Sequence, residues 1–150
     1  MGLATAGVPV NLANLLTDIE TRVPNRELPI WLATRTVEGQ RIEEVQIVTV
    51  GGISVDEDSQ ELILLSAGWV QADEVGGITT VNDLYNWSTE SQGQFANFLL
   101  YGAQKQIDLL DGGFARSYDR LDAWFLPDNP TALWLLFSPL DQWPSKWFAT

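Results

Sequence analysis

The chain contains neither cysteine nor histidine, and that omission governs what it can fold into. No disulfide can staple it, and no thiolate or imidazole zinc site can stand in for a core. Apolar packing and backbone hydrogen bonds must hold it alone. A chain of 150 residues is long enough for that, because at this size folding buries roughly 68–70% of the surface the unfolded chain exposes. Hydrophobic residues make up 45% and charged residues 19%, the proportions of a globular chain rather than a disordered one. A single globular domain over 1–150 is expected, with an N-terminal arm at 1–9 and an aromatic C-terminal tail at 139–150.

The same omission removes most side chains that do chemistry near neutral pH. A Ser-His-Asp or Cys-His nucleophile and a histidine acid/base pair cannot be built. Lys105 and Lys146 are the only lysines, against 20 carboxylates and a net charge of −12. A phosphate backbone needs clustered Lys/Arg, so no nucleic-acid partner is expected. An anionic membrane surface is disfavoured for the same reason, and a partner chosen by charge should be basic. The most apolar run, Leu133 to Leu140, falls far short of the roughly 20 residues of a bilayer span. The opening Met1 to Gly7 has no basic segment of a secretory signal, and Ala6 occupies the Ser/Thr slot of the myristoylation pattern. A soluble protein of the cytoplasm or of a virion is expected.

No internal repeat or linker is legible. Val10, Leu12, Leu15, Leu16 and Ile19 recur at helical spacing between Pro9 and Pro24, which predicts a short N-terminal helix over 10–22. Alternation over Leu28 to Val37 and Arg41 to Val50 predicts a hairpin, and Gly51-Gly52 allows a bend or bulge after it. Ile53 to Val55 and Glu61 to Ser66 flank a polar turn and predict a second hairpin. Residues 67–86 read as a long loop with one short strand. The stretch from about Thr89 to Leu110 reads as a long amphipathic helix. Thr89 and Gln92 suit a capping box, Phe95, Phe98, Leu99, Gly102, Ala103, Ile107 and Leu110 form its stripe, and Gly112-Gly113 closes it. Phe114 to Leu126 and Thr131 to Ser138 make a third hairpin around Pro127-Asp128-Asn129-Pro130. The expected class is α+β: an antiparallel meander sheet of about five to six strands with the long helix on one face and the short N-terminal helix beside it. This element order resembles small acidic secretion chaperones and some phage tail proteins, without shared motif residues.

Little in the chain suggests chemistry. The turn Asp56-Glu57-Asp58-Ser59-Gln60-Glu61 is dense in carboxylates but lacks the glycine and spacing of an EF-hand, so it reads as a solvated hairpin tip. Asp119 and Asp122 would face opposite sides of an alternating strand, which is wrong for a glycosidase pair. No glycine cluster spells a phosphate loop, and GxSxG is absent. No catalytic residue, metal or cofactor is expected.

Seven tryptophans weigh more, because Trp concentrates at interface hot spots. Trp31, Trp124 and Trp134 fall within predicted strands and read as core. Trp143, Trp147 and Phe148 lie in a proline-broken tail after the last strand, which either covers its own sheet or inserts into a neighbour. The arm from Leu3 to Val8 is the second candidate contact. These features point to a non-enzymatic assembly protein, a subunit of a larger particle such as a phage head, tail or baseplate, contacting other protein subunits and itself as a homo-oligomer. The alternative is an acidic inhibitor, immunity protein or chaperone that binds a basic partner. A binder of carbohydrate through exposed Trp faces ranks below both.

Overall fold

Alternation prevails over helical periodicity through most of this chain. The computed structural model describes residues 3–4, 10–38, 41–126 and 129–137. In order along the chain these form β1 (Leu3–Ala4), α1 (Leu12–Arg22), β2 (Ile30–Glu38), β3 (Arg41–Asp56), β4 (Glu61–Ser66), β5 (Val75–Gly76), α2 (Val81–Glu90), β6 (Leu99–Asp108), β7 (Phe114–Phe125) and β8 (Leu133–Phe137).

The short N-terminal helix forms where the spacing places it. Asn11 caps it by accepting from the Asn14 N–H at 2.8 Å, and Leu12, Leu15 and Ile19 are its buried face. The expected hairpins form as β2–β3, β3–β4 and β7–β8, and the second of them carries a register shift between Val50 and Gly52. Gly52 is needed there: a Cβ would sit 2.3 Å from the Val75 carbonyl oxygen.

The long helix over Thr89 to Leu110 is a misreading, and with it the meander sheet. The real helix, α2, ends at Glu90 and starts at Thr80, whose hydroxyl accepts from the Asp83 N–H while the Asp83 carboxylate accepts from the Thr80 N–H. Gln92 (φ 55°) and Gly93 (φ 73°) then turn the chain left-handed and close it off. Residues 99–108 are strand β6. Leu100 and Gly102 are buried in alternation, but a register shift between Ala103 and Lys105 changes the parity. A two-residue period broken by a bulge leaves apolar residues at three- and four-residue intervals, which imitates a helix.

With β6 extended, six strands close into a barrel in the order β2-β3-β4-β6-β7-β8, and β8 returns to β2. Among the described residues sheet predominates, and the two α-helices are short. Four of the junctions are antiparallel, while β4–β6 and β8–β2 are parallel. The narrow interior is filled by side chains. Inward residues Ile30, Leu32, Leu62, Leu64, Leu100, Leu121, Leu133, Leu135 and Phe137 form one cluster with the buried faces of both helices.

The barrel also carries a two-fold internal relationship, although no repeat is legible in the sequence. Each half runs strand, helix, then three strands: β1-α1-β2-β3-β4 and β5-α2-β6-β7-β8. The registers match about seventy residues apart. Val50 opposes Ser66 and Gly52 opposes Leu65; Leu121 opposes Phe137 and Ala123 opposes Leu136, with a bulge at the same point. Each short leading strand pairs with the long central strand of the other half, Ala4 with Ala123 and Gly76 with Gly52. The helix starts follow suit: the Leu12 N–H donates to the Phe98 carbonyl, and the Val81 N–H to the Leu28 carbonyl. Only Leu62 to Leu65 and Leu133 to Leu136 retain visible likeness. Elsewhere the halves share register and burial rather than residue identity, so no repeat can be read from the letters.

Candidate protein-contact site

Departures from this internal symmetry show where the fold does more than close its barrel. In the first half, Glu38 pairs with Arg41, so the β2–β3 ladder runs almost to its turn. In the second half the last pair is Asp108 with Phe114, and five residues, Leu109 to Gly113, project beyond the ladder. Beyond Lys105 the hairpin face that carries Ile107 and Ala115 is exposed, while Gln106 and Arg116 on the other face are partly covered.

The projecting loop is apolar. Ile107, Leu109 and Phe114 are 49%, 46% and 39% exposed, and Leu110 is fully exposed. The turn that carries them is well defined. The Leu109 N–H donates to the Gly113 carbonyl at 2.8 Å, the Gly112 N–H to the Leu109 carbonyl at 3.1 Å, and the Gly113 N–H to the Asp111 carboxylate at 2.9 Å. Gly112 adopts φ 88°, which a residue with a side chain reaches only under strain. Nothing in these bonds needs leucine at 109 and 110. Exposed leucine gains no burial free energy within its own fold.

The arm is braced at its base. The Arg116 guanidinium donates to both Glu74 carboxylate oxygens at 2.7 and 2.8 Å, to Gln106 Oε1 at 2.7 Å and to the Trp69 carbonyl at 2.8 Å. It also lies 4.3 Å from the centre of the Phe114 ring. Arg116 and Glu74 are almost fully enclosed. The Arg116 hydrogen bonds hold the Glu74 carboxyl down at about 2, against the opposing effect of burial. The hairpin is thus clamped to the segment between Trp69 and Glu74.

Beside the loop lies a shallow open depression of about 190 Å³, lined by Lys105, Ile107, Ala115, Arg116 and Ser117. Lys105 is exposed and makes no ion pair among the described residues.

Of the residues singled out from the sequence, Trp143, Trp147, Phe148 and Val8 lie outside the described residues. Leu3 pairs through its backbone with Trp124 of the same chain. Trp124 is core, as expected, whereas Trp31 and Trp134 are half-buried and lie 6.1 Å apart across the β2–β8 seam. In the acidic turn, Asp56 accepts from the Ser59 N–H and Glu61 from the Ser59 hydroxyl. Among the described residues, no group of three or more Asp or Glu is placed to hold a metal ion. Asp122 is buried at the β7 bulge and paired with Arg120 at 2.9 Å. No described helix is long and apolar enough to cross a membrane.

The hairpin tip escaped the sequence reading because Leu109-Leu110 was absorbed into the end of a helix. One signal for it is present: Asp111-Gly112 is a dipeptide that favours a hairpin turn. Comparison with protein-family models, with curated proteins and with solved structures finds no match to this chain.

Proposed function

We propose that this chain is a non-enzymatic structural subunit that assembles with further copies of itself into a larger protein particle. The observation that carries the reading is the braced hairpin, which exposes Leu109 and Leu110 at its tip and Ile107 and Phe114 just below it. Clustered apolar side chains on a projecting, well-ordered element are a mark of protein contact. The tail at 139–150, with Trp143, Trp147 and Phe148, and the arm from Leu3 to Val8 are further contact segments under this reading. Apolar burial supplies the association free energy, and the strong negative charge keeps free subunits from sticking indiscriminately.

Light scattering after gel filtration, at low and high salt, tests the reading. A discrete species heavier than one chain is expected, and removal of 139–150 should lower its mass while the circular dichroism of the fold persists. A wild-type protein that stays monomeric at every concentration and ionic strength would overturn assembly from its own copies.

A further inference from the structure

We infer that two copies of this chain dock through their β6–β7 hairpins, the tip of each filling the depression beside the other's. The inference rests on the assembly reading above and names the contact that would build it. The hairpin presents both halves of a self-complementary contact next to each other. The convex half is Leu109 and Leu110, and the concave half is the 190 Å³ hollow floored by Ile107 and Ala115. Because both belong to one element, a two-fold axis lets each copy give its tip and receive its partner's at once.

Charge supports the same occupant. Lys105 stands at the rim of the hollow without an ion pair among the described residues, on a chain with 20 carboxylates and eight cations. The tip carries Asp108 at its foot and Asp111 in its turn, both exposed. A tip seated in the second copy's hollow brings the Asp111 of its turn to Lys105, twice per pair, whereas Asp108 lies on the opposite face of the hairpin. The twin hairpin β2–β3 pairs Glu38 with Arg41 and so lacks the five-residue loop; it takes no part.

The test is sedimentation velocity on the full chain over a wide concentration range, with thermal melting of each variant as a folding control. Leu110→Ser, at a fully exposed position, should leave the melting unchanged and raise the dissociation constant about tenfold or more, as for a truncated contact anchor. Lys105→Glu and Asp111→Lys should each weaken association, and the double variant K105E/D111K should recover it. Recovery in the double variant supports the contact. An oligomer indifferent to all three single changes, yet lost on removing 139–150, overturns the hairpin contact and leaves the assembly reading standing. A wild-type protein monomeric throughout overturns both.

Discussion

Gly102→Leu is expected to destabilise the protein by about 3 kcal/mol or more, the upper range for overpacking a filled core. A Cβ at Gly102 would meet Phe137 ring atoms at 2.1, 2.4 and 2.7 Å. Phe137 is completely buried and paired on β8 against Leu121, so the ring has no easy retreat. Phe137→Ala should by itself cost about 3–5 kcal/mol through the cavity it leaves. The two changes share one space, so G102L/F137A should lose clearly less than the sum of the singles. The internal two-fold supports this pairing: the positions matching Gly102 and Phe137 hold Leu32 and Ser66, large where the other half is small and small where it is large. Urea unfolding of the four proteins reads the coupling. Strict additivity would mean that the ring does not occupy the glycine's missing side chain.

The second large effect lies at Arg116 and Glu74. Glu74→Gln leaves an enclosed guanidinium without its countercharge, and breaking a buried pair in this way costs about 3–5 kcal/mol. The pH dependence follows from the same pair. Unfolded, Glu74 takes up its proton near 4.5; folded, it keeps its charge down to about 2. Above 4.5 both states are ionised and the stabilisation is complete. As the pH falls from about 4.5 toward 2 the unfolded chain gains a proton that the folded one does not, and about 3 kcal/mol is lost. Acid titration of unfolding free energy should show this slope in the wild type and a much flatter one in E74Q. An identical acid slope in both would remove the Arg116–Glu74 pair as its cause.

Where the sequence was legible, one local signal decided the outcome. Apolar spacing between two prolines gave α1, and alternation around recognisable turns gave β2–β3, β3–β4 and β7–β8. The failures came where a distant partner decides. Residues 99–108 are a strand because β4 and β7 flank them, and the parity change at Ala103 hid the alternation that would have said so. Residues 67–86 read as a loop, yet α2 starts within them, because the Thr80 cap gains its weight from a distant partner, the Leu28 carbonyl that receives the Val81 N–H. Barrel closure rests on two parallel seams, β4–β6 and β8–β2, whose strands are separated in sequence by a helix or by most of the chain. No short window contains that information. The contact hairpin was lost with the helix error, while the aromatic tail stood out only by composition.

The exchange of leading strands between halves bears on how the chain is made. Neither half holds all the hydrogen-bonding neighbours of its own strands: β5 sits on β3, β1 sits on β7, and both parallel seams join one half to the other. During synthesis the first half therefore emerges with β4 and the outer edge of β2 unpaired, and it must wait for residues beyond 99 before either can be covered. Contacts this distant in sequence make for slow, late-closing folding on the millisecond-to-second scale. The waiting half is the form most open to pairing with the wrong chain. Two separately expressed halves, by the same logic, are each unfinished yet carry the edges that complete the other.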